Sequence, residues 1–293
     1  MGAATGGAGG EQSGRPFAEG ERVLLIDRKG RSKLLRLRAG RSYQSHAGVV
    51  SHDSLIGLPE GTEVLARTND EERRNQARFL AVRPSLAEIV LNMPRGAQVI
   101  YPKDLGAILL AADVYPGARV LESGVGSGAL SMALLRAGAE VTGYELREDF
   151  AATARTNVDE ARGGAKGWGS YSVEIRDLYE GIDGSYDRVV LDLPEPWRAV
   201  DHLAGAVVSG GIFCSYLPSI NQVAELRHAL KRAGFGLAET FEVMRRGWYI
   251  EGRAVRPELR MVGHTGFLTT ARRLAGSEAA GDFAEAPAEG DEL

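Results

Sequence analysis

The chain has 293 residues, of which 44% are hydrophobic and 25% are charged, the composition of an ordinary soluble globular protein. It contains no apolar run near the roughly 20 residues of a membrane helix, and its N-terminus lacks the basic and apolar regions of a signal peptide. We therefore expect neither a membrane span nor secretion. A single cysteine, Cys214, excludes an internal disulfide and fits the cytoplasm, and its apolar neighbours predict a buried side chain.

The net charge of −4 is unevenly distributed along the chain. Residues 274–293 contain six acids and no base, whereas residues 1–273 contain 35 bases and 33 acids. We expect residues 274–293 to be an acidic disordered tail and the glycine- and alanine-rich residues 1–16 to be a disordered leader. Because the remaining body is close to neutral, any contact with nucleic acid must come from a local basic patch.

Residues 17–82 predict a small β domain, like a barrel or a sandwich. Short β-branched or alternating segments are separated there by glycine, aspartate and proline. These segments are ERVLLID (21–27), KLLRLR (33–38), GVVSHDSLIGL (48–58) and TEVLAR (62–67). Residues 84–95 predict a helix that connects this domain to the rest of the chain.

From residue 101 onward, strand-like apolar segments alternate with helix-like segments, one of which spans residues 197–208. This alternation predicts a doubly wound, mostly parallel α/β sheet in a domain of residues 83–273. Two further strands, at residues 236–251 and 264–274, are expected to form a terminal antiparallel hairpin. A ligand should bind at the carboxyl ends of the parallel strands, near the point where the strand order reverses.

The sequence GVGSGA (124–129) follows the first strand of this domain and opens a helix. Such a glycine loop lets the backbone approach a cofactor closely, and it occurs in sites for NAD and for S-adenosylmethionine. Glu122 precedes the loop by two residues, and Glu145 and Asp177 end the second and third strands. Three acids, with no base in the loop, favour the cationic S-adenosylmethionine over an anionic dinucleotide. A dehydrogenase and a turn without any ligand are the weaker alternatives.

The stretch VVLDLPEPW (189–197) places a carboxylate, Asp192, directly after the fourth strand. The two prolines that follow restrict the backbone of the turn. The stretch resembles adenine-type methyltransferases, in which a polar residue followed by prolines and an aromatic is held toward the exocyclic amine of a flipped base; the resemblance implies that role for Asp192. The alternative is a capping role without any chemistry.

At this point the chain resembles the tRNA adenine N1-methyltransferases that modify adenosine 58 of the T-loop, in their bacterial form. The resemblance covers residues 17–273 and is carried by MPRGAQVIYPKDLG (93–106), GARVLESGVGSGAL (117–130), YELREDFAATARTN (144–157), LDLPEPW (191–197), YLPSINQV (216–223) and RPELRMVGHTGFL (256–268). It implies a seven-stranded class I methyltransferase that uses S-adenosylmethionine, acts on tRNA without a metal and forms a homotetramer. Tyr249 departs from the family's pattern, which has histidine there.

The resemblance also implies roles for individual residues. The cofactor would be bound by Glu122, Gly124, Val125, Gly126 and Ser127 at its methionine part, by Glu145 and Phe150 near its ribose, by Asp177 at its adenine, and by Gln98 and Asp192. Asp192 would be the catalytic acid. Tyr101 and Tyr216 would border the pocket for the target base, and Gln98 and Gln222 would help to order it. The alternative for each tyrosine is an aromatic ring that only packs.

Two basic clusters are candidate contacts for tRNA phosphates, although such clusters are usually only solvated surface. The first consists of Arg28, Lys29, Arg31, Lys33, Arg36, Arg38 and Arg41, and the second of Arg245, Arg246, Arg253 and Arg256. A metal site at His46, His52 and Asp53 is less favoured than polar surface, and His202, His228 and His264 share no ligand spacing. The alternative functions are methylation of another RNA or of a small molecule, and a non-catalytic RNA-binding subunit.

Overall fold

The computed structural model describes residues 15–45, 48–67, 77–96, 98–163 and 165–276. Most of the predicted leader and tail lie outside these ranges. The strands are β1 (Arg22–Asp27), β2 (Ser32–Arg36), β3 (Ser42–Ser45), β4 (Gly48–Ser51), β5 (Thr62–Leu65), β6 (Arg78–Val82), β7 (Arg119–Ser123), β8 (Glu140–Glu145), β9 (Tyr171–Ile175), β10 (Tyr186–Leu191), β11 (Val207–Leu217), β12 (Phe235–Phe241), β13 (Trp248–Glu251), β14 (Ala254–Pro257) and β15 (Phe267–Arg273). The helices are α1 (Leu86–Asn92), α2 (Pro102–Ala111), α3 (Ala129–Arg136), α4 (Glu148–Arg162), α5 (Val200–Ala206) and α6 (Ile220–Arg232).

The chain divides into two compact units, Met1–Met93 and Pro94–Leu293. In the first, an antiparallel sheet has the strand order β2-β1-β6-β5, and β3 pairs with β4 in a second sheet. In β6 the buried side chains of Phe79 and Ala81 alternate with exposed ones, as in a half-buried sheet, whereas β1 buries the three consecutive residues Val23, Leu24 and Leu25. Helix α1 begins with a capping box in which the Ser85 side chain and Glu88 each bond the other's backbone N–H.

The segment 48–58 is only partly a strand, because β4 ends at Ser51 and consecutive turns follow. The reason is local hydrogen bonding: the backbone N–H groups of Leu55 and Ile56 both donate to the carbonyl of His52. The side chain of Leu55 is nevertheless fully buried in the core of this unit. Apolar content therefore predicted burial correctly at this position but not extended structure.

The second unit contains a seven-stranded sheet in the order β12-β15-β11-β10-β7-β8-β9. Strands β7 to β11 pair in parallel, and β15 runs antiparallel between β11 and β12. The chain moves outward from β7 through β8 to β9 and then returns to β10 on the other side of β7. The strand order therefore reverses between β7 and β10, where a ligand is expected. The predicted mostly parallel, doubly wound sheet is confirmed.

Two elements of this unit have boundaries that differ from those predicted from the sequence. The expected helix 197–208 begins as a 3-10 turn, Pro196–Ala199, continues as α5 and ends before Val207, which already belongs to β11. The expected strand 236–251 stops at Phe241, and β13 pairs with β14 in a separate hairpin between β12 and β15. The terminal pairing is antiparallel as predicted, but its two strands are joined by this long excursion.

The core of the second unit lies between the sheet and its helices, where Val189, Leu191, Phe213 and Leu226 are completely buried. Cys214 is also buried, as its apolar neighbours predicted. Among the described residues, no helix has both the length and the apolar character needed to cross a membrane.

Candidate cofactor and substrate site

The glycine loop fills the turn between the end of β7 and the start of α3. Gly124 has a φ of +86°, and a Cβ atom there would lie 2.1 Å from the backbone oxygen of Asp192. Side chains are disfavoured at this φ, and Gly124 also has no room for one. The absence of a side chain thus lets the loop touch the end of β10, the strand that carries Asp192.

Glu145, the last residue of β8, holds the loop from the other side. One of its carboxyl oxygens accepts a hydrogen bond from the backbone N–H of Gly126 at 2.9 Å, and the other accepts from the backbone N–H of Arg147 at 3.0 Å. The sequence predicted Glu145 at a strand end near the cofactor. It did not predict the bond to Gly126, which requires the loop and β8 to be adjacent in space.

Glu122 is completely buried beneath the same loop. One carboxyl oxygen accepts from the Ser131 hydroxyl at 2.7 Å, and that hydroxyl accepts from the Tyr171 phenol at 3.0 Å. The other oxygen, Oε1, has no hydrogen-bond partner among the described residues. Burial raises the pKa of Glu122 to about 8, and the charges of Asp192 and Glu145 act in the same direction.

Asp177 lies two residues beyond the end of β9 and not at its last position, which corrects the sequence-based placement. It caps the 3-10 turn Leu178–Glu180, and its Oδ1 accepts from the backbone N–H of Tyr179 at 2.9 Å. The carboxyl ends of β7, β8 and β9 meet here around a cleft of about 190 Å³. The cleft is lined by Ser123, Gly124, Tyr144, Glu145, Leu146, Arg176, Asp177, Leu178, Tyr179, Leu193 and Pro194.

Asp192 directly follows β10, beside the first residues of the glycine loop. Its backbone N–H donates to the carbonyl of Ser123 at 2.9 Å, and its own carbonyl lies against Gly124. Burial of the carboxyl group raises the pKa of Asp192 to about 7. A group with this pKa changes its charge near neutral pH, as the acids and bases of active sites commonly do.

The proline turn after Asp192 is fixed to the rest of the unit. Pro196 is buried at the start of the 3-10 turn, and Trp197 packs against the core. The Gln222 side-chain amide on α6 donates to the carbonyl of Pro194 at 2.9 Å. Gln222 therefore contacts this turn directly, and the turn holds the end of β10 in place.

Tyr101 and Tyr216 share the neighbourhood of Asp192. Tyr101 immediately precedes α2, Tyr216 lies near the end of β11, and both are half-buried. Burial raises the pKa of Tyr216 to about 12, and the charges of Asp104, Asp192 and Tyr101 also act on it. A Cβ atom on Gly266 would lie 2.4 Å from the Tyr216 ring, so a glycine makes room for this aromatic ring.

A buried network next to these tyrosines was not predicted from the sequence. The Lys103 ammonium donates to Asp104 at 2.7 Å, to the Thr265 hydroxyl at 2.6 Å and to the carbonyl of Val243 at 2.6 Å. The Thr265 hydroxyl donates in turn to the second oxygen of Asp104 at 2.7 Å. The network ties both ends of the excursion between β12 and β15 to the first turn of α2. The adjacent charges of YPKD were the available signal, but their partners are more than 130 residues away.

The remaining predicted cofactor residues differ in their exposure. Val125 and Ser127 are buried, and the Ser127 hydroxyl has no hydrogen-bond partner in the described part of the chain. Phe150 is half-buried, with the Arg147 guanidinium 3.8 Å above its ring. Gln98 is exposed.

His52 and His264 have structural partners among the described residues. His52, expected on the polar surface, is buried, and its Nδ1 accepts from the backbone N–H of Arg38 at 3.1 Å. Asp53 accepts from the backbone N–H of Gly40, His264 pairs with Glu242, and His46 lies outside the described residues. Within the described ranges, no three or more His, Cys, Asp or Glu residues are grouped so that they could hold a metal ion.

Both basic clusters are exposed. In the first, Arg31 forms an ion pair with Asp27 at 2.6 Å. The second flanks the β13–β14 hairpin, where the Arg256 guanidinium lies 4.7 Å from the centre of the Tyr249 ring. Tyr249 is itself exposed, and its hydroxyl donates to Glu251.

Family models match both units of the chain. The family described as tRNA methyltransferase complex GCD14 subunit matches residues 77–256, and the one described as TrmI-like N-terminal matches residues 16–64. The chain belongs to the GCD14–TrmI family. The family and the fold class predicted from the sequence are thus confirmed.

Relatives in this GCD14–TrmI family cover nearly all of the chain. The tRNA (adenine(58)-N(1))-methyltransferase TrmI of Thermus thermophilus is 36% identical over 263 residues, 87% of this chain and 98% of the relative. The tRNA (adenine(57)-N(1)/adenine(58)-N(1))-methyltransferase TrmI of Methanocaldococcus jannaschii is 32% identical over 85% of this chain and 94% of its own.

Two solved structures show the same fold as this GCD14–TrmI protein. The tRNA (m1A58) methyltransferase TrmI from Aquifex aeolicus has a TM-score of 0.76 and 30% identity, covering 89% of this chain and all of that one. A SAM-dependent O-methyltransferase from Thermotoga maritima has a TM-score of 0.80 and 31% identity, covering 89% and 95%.

The donor set of the site fits S-adenosylmethionine, on which methyltransferases of this fold depend. Three glycines let the loop present its backbone to a cofactor, and the Glu122 Oε1 and the Ser127 hydroxyl, neither with a hydrogen-bond partner among the described residues, lie buried there. The charges of Glu145 and Asp192 both act on Glu122. A cationic ligand is attracted to such a group of acids, whereas a pyrophosphate is repelled by it.

Proposed function

We propose that the protein transfers a methyl group from S-adenosylmethionine to N1 of adenosine 58 in the T-loop of tRNA. The observation that carries this proposal is the position of Asp192 in a member of the GCD14–TrmI family. The backbone of Asp192 lies against Gly124, its charge acts on Tyr216, and it follows β10, beside which the strand order of the sheet reverses.

We assign the cofactor to the cleft and to the loop beside it. At about 190 Å³ the cleft is smaller than the roughly 300–1,000 Å³ of typical ligand pockets, so we expect it to take the nucleoside part. Glu145 and Asp177 line it, and they would accept hydrogen bonds from the ribose hydroxyls and the adenine amine. Gly124, Val125, Gly126 and Ser127 would face the methionine part, with Glu122 beneath them, while Phe150 and Gln98 would lie at the edge.

The bound cofactor supplies an electrophilic methyl group, which is accepted by a nitrogen lone pair of the target adenine. As N1 is methylated, positive charge develops on the adenine ring. The ionised carboxyl group of Asp192 would accept a hydrogen bond from the exocyclic amine and stabilise that charge. Tyr101 and Tyr216 would stack against or border the flipped base and hold it in position, which by itself supplies a large part of the acceleration.

The acceptor side requires contacts outside this site. We propose that the two exposed basic clusters bind tRNA phosphates, because a near-neutral protein can bind nucleic acid only through local positive charge. We propose further that the protein is cytoplasmic and acts as a homotetramer. Residues 17–82 would form a separate N-terminal domain, and residues 83–273 the methyltransferase domain.

The test of the function is incubation with labelled S-adenosylmethionine and unmodified tRNA, followed by mass mapping of the modified nucleoside. We expect one N1-methyladenosine at position 58 and no product with a matched tRNA that carries guanosine there. The same mapping would reveal methylation of adenosine 57. A label found only on another RNA or on a small molecule would contradict the proposal, and so would the absence of label unless a second protein is added.

A further inference from the structure

Glu122 is a carboxyl group that the proposed function places beneath the methionine part of the cofactor, without any chemical role. Its side chain is completely buried, one oxygen accepts from Ser131, and the other has no partner among the described residues. A buried carboxylate without a cation is strongly disfavoured, because water no longer solvates its charge. In the free enzyme the favourable form of this group is therefore the neutral acid.

The groups around Glu122 do not supply that cation. On the sheet it is flanked by Val190 of β10 and Gly143 of β8, neither of which carries charge. The ionisable groups that act on it are Asp192 and Glu145, both acids, and it interacts electrostatically with the phenol of Tyr171. Burial, supported by these two acids, raises the pKa of Glu122 to about 8.

We propose that Glu122 is protonated in the free enzyme and ionises when the positively charged methyl donor binds, so that the site distinguishes the donor from its neutral product. This inference rests on the proposed use of S-adenosylmethionine. On donor binding the O–H bond of Glu122 breaks heterolytically, the carboxylate keeps the electron pair and the proton passes to solvent. After transfer the donor sulfur is an uncharged thioether, and Glu122 takes a proton back.

The charges of the two ligands determine which of them an ionised Glu122 favours. S-adenosylmethionine carries one more positive charge than S-adenosylhomocysteine, and that charge is located on the sulfur that loses its methyl group. An ionised Glu122 favours the first ligand, whereas a protonated Glu122 is indifferent to the charge. The site therefore binds the donor in preference to the product, and the preference depends on pH.

The sign of the pH dependence follows from the protonation states. Below about pH 8 the free enzyme holds the proton and the donor complex does not, so donor binding releases a proton and tightens as the pH rises. The dissociation constant for the donor should fall by up to about tenfold per pH unit in that range and level off above it. The constant for S-adenosylhomocysteine should change much less.

Titration calorimetry of the full-length protein tests this inference directly. The heat of binding is measured at neutral pH in two buffers with different ionisation enthalpies, and the difference gives the number of protons released. In the wild type we expect substantially more proton release with S-adenosylmethionine than with S-adenosylhomocysteine. In Glu122→Gln, whose amide oxygen can still accept from Ser131, this difference should be lost and the preference for the donor should drop roughly tenfold, the equivalent of one pKa unit.

Two further variants assign the proton to Glu122. Asp192→Asn removes the other acid that titrates near neutral pH, and the excess release with the donor should persist in it. Ser131→Ala removes the hydrogen bond that stabilises the Glu122 carboxylate. The proton release on donor binding should therefore be centred at a higher pH than in the wild type. This second variant also keeps the test available if Glu122→Gln does not fold.

The possible results separate this inference from the cofactor proposal. Donor binding with equal proton release for both ligands, or with an excess unchanged in Glu122→Gln, would overturn the role of Glu122 and leave the cofactor proposal intact. An excess abolished in Asp192→Asn would assign the proton to Asp192 instead. A protein that binds neither ligand would contradict the use of S-adenosylmethionine itself.

Discussion

At the scale of single residues, the surroundings of the Asp192 carboxyl group disfavour the charge that its proposed role requires. Its backbone is fixed by a hydrogen bond to Ser123 and by the close approach of Gly124, while burial raises the pKa of its carboxyl group to about 7. Burial disfavours the ionised form, yet the ionised form is the one that would stabilise a cationic adenine. The rate of methyl transfer should therefore depend on both the identity and the ionisation of this residue.

We predict that Asp192→Ala lowers the single-turnover rate by roughly 10²–10⁴, the range for one positioned acid–base or polar group. Asp192→Asn should fall between wild type and Ala, because its amide oxygen can accept from the exocyclic amine but brings no charge. Affinity for S-adenosylmethionine should change much less, since Glu145 and Asp177 are retained. An Asn variant as fast as the wild type would show that Asp192 only orients the base.

The same carboxyl group predicts a pH profile. Because its pKa is raised to about 7, the ionised fraction grows as the pH increases through that value. The single-turnover rate of the wild type should rise over this range and then reach a plateau. In Asp192→Asn the rise should be absent, and its persistence there would assign the profile to another group.

At the scale of elements, the glycine loop depends on one close contact between two strand ends. We predict that Gly124→Ala lowers the free energy of unfolding by at least roughly 1–3 kcal/mol, the usual range for overpacking, because its Cβ would lie 2.1 Å from the Asp192 carbonyl. Cofactor affinity should fall with it.

Gly126→Ala is the matched control for stability. Gly126 has a φ of +56°, but the nearest atom to its Cβ would be 3.9 Å away. The free energy of unfolding of Gly126→Ala should fall only by the roughly 1–2 kcal/mol that a side chain costs in the left-handed conformation. Chemical denaturation measures both variants, and equal losses would contradict the steric explanation for Gly124.

The network of Lys103, Asp104 and Thr265 connects the segment between β12 and β15 to the first turn of α2. Lys103→Met removes the cation and leaves Asp104, which is completely buried, with an uncompensated charge. We predict that the free energy of unfolding falls by about 3–5 kcal/mol, the typical effect of breaking a buried ion pair.

The double variant Lys103→Met/Asp104→Leu should be more stable than Lys103→Met alone, because no buried charge is then left unpaired. Urea denaturation of both variants gives this comparison. If the double variant is the less stable of the two, the network contributes through its geometry and not through its charges.

At the scale of the whole molecule, the distribution of charge along the chain matters more for tRNA binding than the net charge does. Residues 277–293 contain six acids, Glu278, Asp282, Glu285, Glu289, Asp291 and Glu292, and no base. We predict that a protein without residues 277–293 retains its methylation rate and binds tRNA equally or slightly more tightly. Affinity should decrease steeply with salt in both proteins, because phosphate contacts release counterions. Loss of methylation on deletion would contradict a dispensable tail, and a flat salt dependence would contradict phosphate contacts.

Much of the fold could be predicted from the sequence because its signals are local. Alternating strand-like and helix-like segments imply a parallel sheet, and the ends of those strands implied where Glu145 and Asp192 would lie. Boundaries were less predictable where a local signal competed with another. Residues 242–247 continue an apparent strand, but the chain leaves the sheet there and forms a separate hairpin.

The sequence by itself determined which groups the site contains: a glycine loop, acids at or just beyond the ends of three strands, and a proline turn after Asp192. Tertiary structure alone decided which of these groups ionise near neutral pH and which are held by distant partners. The pKa values of Glu122 and Asp192 depend on burial, and the contacts of Lys103 join positions more than 130 residues apart. Solvent exclusion and long-range contacts are properties of the packed chain, so no local pattern encodes them.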